Sequence, residues 1–167
     1  MAETIVRIRM NDGCEDLFPK KNNPSDAGFD LCAAEDVYLD YNEVKAVSAG
    51  FKMEMAEGWE AQIRSRSGNA LKKGLTVKNG IGTLDSSYRG EIKCILSYTG
   101  VEEIGKIENF CGNIYLKTPE RIQIKRGDKI AQMVFAEVHS VLLVPSKSLS
   151  ETDRGEKGFG SSGLAGK

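Results

Sequence analysis

FKMEM, residues 51–55, puts Phe51, Met53 and Met55 on one side of an extended chain and Lys52 and Glu54 on the other. A helix would scatter these side chains around its circumference, whereas a strand sorts them into a dry face and a wet one. The same period of two recurs in VRIRM (6–10) and RIQIK (121–125). EIKCIL (91–96) and KIAQMVFAEV (129–138) read as more deeply buried strands. Gly, Asn and Asp punctuate the chain at short intervals, as they do between the strands of a sandwich or barrel. SGNALKKG (67–74), bounded by Ser67 and Gly74, is the one convincing helix, about two turns long. The pattern predicts an all-β fold with a single short helix.

The chain has 167 residues, enough for one domain with a real core. It shows no obvious linker and no internal repeat. MAETIVRIRM at the start lacks the apolar core of a signal peptide, and no apolar run approaches a membrane span. A cytoplasmic protein without a membrane partner is expected. The formal net charge of −1 argues against a nucleic-acid backbone binder, which carries a strong basic excess. Small phosphate ligands remain open, because they need only a few local cations. Cys14, Cys32, Cys94 and Cys111 are scattered without a CxxC pair and read as reduced, mostly buried residues rather than zinc ligands. His139 lies in the strand-like run FAEVHSVLLV and reads as a packing or surface residue. Any hydrolytic chemistry therefore has to work without a histidine base.

Four segments and the tail hold the residues able to do chemistry. GTLDSSYRGEI (82–92) crowds Asp85, two serines, Tyr88 and Arg89 into one turn. A solvated hairpin explains the polar residues but has no need of the tyrosine. DAGFDLCAAED (26–36) places Asp30 after a small-residue turn, where it is a strand-end acid or a metal ligand. RSRSG (64–68) sets Arg66, Ser67 and Gly68 at the start of the helix. That is either a phosphate seat of free amides, hydroxyl and guanidinium, or simple N-capping by Ser67. KRGDKIAQMVF (125–135) holds Gln132 in an apolar strand, where its amide needs a partner in the core or in a ligand. The RGD triplet is an ordinary turn sequence and says nothing of adhesion.

Composition divides a body, residues 1–145, from an arm, 146–167, that is Gly- and Ser-rich and nearly free of aliphatics. Such a segment cannot bury enough surface to fold alone. It is either a disordered end or a flexible arm that closes on an anionic ligand. In the second case Gly and Ser amides wrap phosphate, Arg154 forks onto it, and Phe159 covers a flat ring.

AGFDL (27–31), RSG (66–68), GTLDSSYRGE (82–91), RGDKIAQ (126–132) and RGEKGFGSSG (154–163) occur in that order. Together they resemble the five motifs of the homotrimeric all-β dUTP pyrophosphatase (dUTPase) family, across nearly the whole chain. The resemblance implies a compact, distorted, jelly-roll-like β-barrel and a homotrimer whose active sites are shared between subunits. It implies Mg2+-assisted hydrolysis of dUTP to dUMP and pyrophosphate, which keeps uracil out of DNA and supplies dUMP for dTMP synthesis. It also implies roles. Asp85 activates the water that attacks the α-phosphorus, and Tyr88 lies under the deoxyribose and blocks a 2′-hydroxyl. Gly82, Thr83 and Leu84 belong to a hairpin that reads uracil through backbone groups, with Asn79 contacting the base. Arg66, Ser67, Gly68 and Gln132 bind phosphates, and Asp30 helps to hold magnesium through its waters. Arg154, Phe159, Gly160, Ser161 and Ser162 belong to the closing arm.

The chain departs from the family pattern at Ser65, where many members have Pro, at Asn69, where many have Leu, and at Lys157, where glycine is common. TGVEEIGKIENFCGN (99–113) is longer than the compact family connection. Two alternatives follow. A dCTP deaminase has a similar trimer but needs a differently placed acid, and the Tyr88 gate and glycine-rich arm favour dUTPase. A dUTP-gated regulatory interaction protein has only the 99–113 segment in its favour.

Overall fold

The computed structural model describes residues 4–100, 107–110, 113–116 and 121–158. Among them run thirteen strands, one α-helix and one 3-10 turn. The fold is all-β and jelly-roll-like. A four-stranded antiparallel sheet has the order β2 (Phe29–Cys32), β13 (Lys129–Glu137), β6 (Trp59–Arg64), β8 (Ile81–Asp85). A three-stranded sheet has the order β4 (Val44–Ser48), β9 (Lys93–Tyr98), β7 (Leu75–Val77). Three strand pairs complete the set: β1 (Arg7–Met10) with β5 (Phe51–Glu54), β3 (Val37–Leu39) with β12 (Ile122–Ile124), and β10 (Ile107–Phe110) with β11 (Asn113–Leu116). The last pair falls within and just beyond the long 99–113 segment. No helix among the described residues is long and apolar enough to cross a membrane.

Alternation does what the sequence asks of it. Phe51, Met53 and Met55 are buried, while Lys52 and Glu54 between them are exposed. They join Leu31, Val47, Ile63, Val77, Ile92, Leu96, Ile124 and Met133 in one core. Phe51 is fully enclosed, so Phe51→Ala should cost about 3–5 kcal/mol of stability. Urea unfolding measures this, and a loss under about 1 kcal/mol would mean that the site collapses to refill the space.

The helix α1 spans Ser67–Lys73. Its N-cap is Arg66 rather than Ser67, and no side-chain hydrogen bond closes that end, so the capping reading of Ser67 does not hold. Gly74 ends it at φ 65 in the left-handed region, and a Cβ there would lie 2.0 Å from the Gly100 carbonyl oxygen. Only glycine fits. The RGD turn is structural, as Arg126 donates to both carboxylate oxygens of Asp16, at 2.9 and 2.6 Å, and to the Gly13 carbonyl at 2.7 Å.

One expectation is corrected. His139 is not in a strand: β13 ends at Glu137, and residues 137–144 are exposed. The Val138 amide still donates to the Gly58 carbonyl at 2.8 Å, but the run HSVLLV after it, for all its strand-like composition, pairs with no strand among the described residues, and composition alone does not make a strand. Cys14, Cys32 and Cys94 are free thiols, Cys14 and Cys94 buried. Burial pushes the Cys94 thiol up to about 12, which makes it inert. Cys111 lies outside the described residues.

Candidate active site

Strand β13 has β2 on one side and β6 on the other, and its register brings distant motifs together. Gln132 stands opposite Asp30 on one flank and opposite Arg64 on the other. Directly opposed residues of antiparallel strands point to the same face, so three chemically capable side chains form a row across three strands. A bulge between Lys129 and Ala131 shifts the register just before this row. A cavity of about 430 Å³ opens here, lined by Asp26, Asp30, Arg64, Arg66, Ser67, Gly68, Asn69 and Gln132 among others. A second cavity of about 420 Å³ lies against Phe18, Phe29, Trp59 and Phe135 and contains no acid. The polar one, with Arg64 and Arg66 in its wall, can bind an anion, as can a third of about 290 Å³ lined by Arg7, Arg9, Lys52 and Arg89 among others. Of the three, only the polar one gathers residues from several of the five motifs.

Asp30 organises the cations. Its Oδ1 lies 3.1 Å from Arg66 Nε, and its Oδ2 lies 2.6 Å from Lys129 Nζ. The second contact is an ion pair without hydrogen-bond alignment, and the same ammonium also donates to Asn22 Oδ1 at 2.7 Å. Asn69, one of the departures from the family pattern, donates to the Lys129 carbonyl at 2.8 Å and fixes the helix against β13. Ser65, another departure, uses its hydroxyl to accept the Val77 amide at 2.8 Å. The partner that Gln132 requires is the Ser65 carbonyl, reached by Nε2 at 2.9 Å. Gly28 makes room on the other side, since a Cβ there would sit 2.7 Å from Gln132 Oε1. Asp30→Asn should therefore loosen Arg66 and raise the KM for a phosphate ligand by about tenfold, read by steady-state kinetics. An unchanged KM would show that Arg66 is held by other means.

A resident metal centre does not fit these residues. Among the described residues no group of three His, Cys, Asp or Glu side chains could hold an ion. Asp30, the expected outer-sphere acid, already faces two cations. Magnesium characteristically keeps its waters and rides on substrate phosphates with one or two carboxylates nearby.

The turn that carries the chain from β7 in one sheet to β8 in the other makes a separate, smaller cavity of about 120 Å³, lined by Asn79, Gly82, Thr83, Leu84, Ile63 and Lys93 among others. Gly82 is tight, with a Cβ there 3.3 Å from both Asn79 Nδ2 and Ile63 Cβ. Asp85 ends β8, exposed and opposite Glu60. In the following turn the Tyr88 amide donates to the Asp85 carbonyl at 3.0 Å, and Arg89 donates to the carbonyls of Ser86 and Tyr88 at 2.5 and 2.9 Å.

These pieces do not meet within one chain. Arg64 pairs with Ile81 and Glu60 pairs with Asp85, four positions further along the same two strands. At roughly 3.3 Å per residue, Asp85 is about 13 Å along the sheet from the row at Arg64. No phosphate held in the cation pocket lies within hydrogen-bond reach of that carboxylate. Arg154 is elsewhere again: it is exposed, and its Nε donates to the Lys157 carbonyl at 3.0 Å. Phe159, Gly160, Ser161 and Ser162 lie outside the described residues. Arg64, Asp26 and Lys129 were missed as site residues. Lys129 stands inside the RGDKIAQ motif, and Arg64 and Asp26 open the RSRSG and DAGFDLCAAED segments, so proximity to the motifs was the available signal for all three.

The fold and the site define a small all-β protein with an arginine-, hydroxyl- and amide-lined pocket whose chemistry suits an anionic ligand. The chain belongs to the dUTPase family, whose model matches residues 16–106 and 110–163. The deoxyuridine 5′-triphosphate nucleotidohydrolase of Thermoanaerobacter sp. is 40% identical over 163 residues, covering 96% of this chain and 98% of that one. The protein of the same name from Zymomonas mobilis is 37% identical over 156 residues, covering 93% and 94%. Among solved structures, the Staphylococcus bacteriophage 80alpha dUTPase with dUpNHpp matches at a TM-score of 0.79 and 26% identity, over 96% of this chain and 99% of that one. A dUTPase from phage phi11 of S. aureus, in which a structural Mg(II) ion is coordinated, matches at 0.71 and 24% over 88% and 99%, and speaks for the fold alone.

Proposed function

We propose that this protein is a dUTP diphosphatase, cleaving dUTP to dUMP and pyrophosphate, and that each active site is assembled from several copies of the chain. The observation that carries the reading is the separation just described: a cation pocket at one place and an acid with an aromatic ring about 13 Å away along the sheet. A symmetric oligomer can bring one subunit's pocket against another's Asp85 turn, and a shared site requires such a neighbour. Family membership favours a homotrimer.

In this reading Arg66, Ser67, Gly68 and Gln132 hold the phosphate chain, with Arg64 beside them. Magnesium would arrive on the nucleotide's phosphates, where it would offset their charge, and Asp26 together with Asp30, whose buried Oδ2 lacks a hydrogen-bond partner, would accept from its water shell. The β7–β8 turn and the strand after it, carrying Asn79, Gly82, Thr83 and Leu84, receive uracil, and Tyr88 lies under the sugar. Asp85 takes a proton from water as the oxygen attacks the α-phosphorus. The bond from that phosphorus to the bridging oxygen breaks, and pyrophosphate leaves with the electron pair. The arm, with Arg154, Phe159, Gly160, Ser161 and Ser162, covers the base and the γ-phosphate.

Product analysis tests the whole reading. dUTP should give dUMP and pyrophosphate, with dTTP, UTP and dCTP turned over poorly, whereas ammonia from dCTP would move the protein to the deaminases. Light scattering at assay concentration should report three chains, and a fully active monomer would contradict the shared site. Tyr88→Ala should lower the dUTP-over-UTP ratio of kcat/KM by roughly ten- to a hundredfold, because the ring excludes the 2′-hydroxyl only by occupying its space. An unchanged ratio would make the tyrosine structural.

A further inference from the structure

We propose that Gly90 and Glu91 are positioning residues that set the orientation of the Tyr88 ring and through it the choice between deoxyribose and ribose. The proposal rests on reading Tyr88 as the sugar gate.

Tyr88 is 45% exposed, so core packing does not hold its ring. Left to rotamer preference, such a side chain would sample several staggered wells, and a gate that swings excludes little. Two contacts hold it instead. The ring folds back over Gly90 so closely that a Cβ there would lie 2.3 Å from the tyrosine Oη, 2.4 Å from Cζ and 2.8 Å from Cε2. At the far end, the Tyr88 hydroxyl donates to the Glu91 carbonyl oxygen at 3.0 Å.

That carbonyl belongs to a well-fixed piece of chain. The Glu91 carboxylate accepts from Asn11 Nδ2 at 2.7 Å and Ser48 Oγ at 2.6 Å, and Lys93 Nζ lies 3.4 Å from its other oxygen. The next residue, Ile92, is fully buried; its amide donates to the Phe51 carbonyl and its carbonyl accepts the Ala49 amide, both at 2.9 Å. Ser48 chiefly, with Lys93 and Asn11, holds the Glu91 carboxyl below the ordinary range. The carboxylate is thus ionised at neutral pH, and its clamp weakens only as acid titrates it. The hydroxyl end of the ring is tied to the core, and the glycine leaves the ring room to lie flat. Nothing else about Gly90 calls for glycine, because its φ is not positive.

Gly90→Ala is therefore tolerated by the backbone and must displace the far end of a mobile side chain. It should lower the dUTP-over-UTP ratio of kcat/KM by roughly ten- to a hundredfold, as Tyr88→Ala does. Added to Tyr88→Ala, it should change that ratio by less than about twofold, because its only route to specificity is the ring. Tyr88→Phe, which loses only the hydroxyl bond, should cost less, roughly two- to tenfold. NMR reads the placement without substrate: contacts from the Tyr88 ring protons to the backbone of residues 90 and 91 should be present in the native trimer and absent in Gly90→Ala. If Tyr88→Ala relaxes the ratio and Gly90→Ala does not, the proposal fails while the gate survives. If Tyr88→Ala leaves the ratio unchanged, the gate reading falls and this role with it. Ring contacts that persist in Gly90→Ala also overturn it, whatever the kinetics.

Discussion

Asp85→Asn is expected to cut turnover of dUTP by about 10²–10⁴-fold while leaving the fold and nucleotide binding in place. The carboxylate stands at the exposed end of β8, and among the described residues no cation lies within ion-pair distance of it. Its contribution to the native structure comes through the backbone, by pairing with Glu60 and by accepting the Tyr88 amide, and asparagine preserves both. Asparagine is also nearly the same size, so the water still has a site. What disappears is basicity: an amide oxygen accepts a hydrogen bond but cannot take the proton that the attacking water must shed. The measurement pairs kcat with the dissociation constant of a non-hydrolysable dUTP analogue. Loss of turnover with binding retained is the expected signature. Near-native turnover would remove Asp85 from the chemistry, and equal losses in both would give it a binding role instead.

Ending the chain after Ser150 should leave a folded protein in the same oligomeric state as the full chain, with turnover lower by two orders of magnitude or more. Residues 151–157 are exposed, and among the described residues their hydrogen bonds are local ones, such as Gly155 to Thr152 and Arg154 to Lys157. Removing them takes nothing from the core. If the arm closes over bound dUTP, its loss removes the guanidinium of Arg154 and the cover of Phe159. The phosphate chain is then held less well in line for attack, and bulk water reaches the site. Phe159→Ala should weaken the cover of the base alone and cost less than the truncation. An active truncated protein in that state would return the tail to the status of a disordered end.

Much of the fold was legible in the sequence because binary patterning is a local property. Alternation at Phe51, Met53 and Met55 marks a strand whichever strand it pairs with, and Gly74 marks a helix end because glycine takes the left-handed conformation that closes a helix without steric cost. Where local composition misled, as in the run around His139, strand-forming residues found no partner strand among the described residues. β-propensity is realised only when a partner and a face to bury are both present.

The sequence by itself determined the all-β class, the single short helix and the identity of most chemically capable side chains, which five ordered motifs exposed. Tertiary structure alone decided which of them meet. The opposition of Gln132 to Asp30 on one side and Arg64 on the other spans up to about a hundred residues of chain, and the bulge before Ala131 adjusts its register. The same pairing set Asp85 away from the cations, and tertiary structure folded the Tyr88 ring back over Gly90. Alternation fixes only which face a side chain takes. Partner and register come from global packing, because a strand buries its apolar face about equally well against several neighbours until the whole core closes.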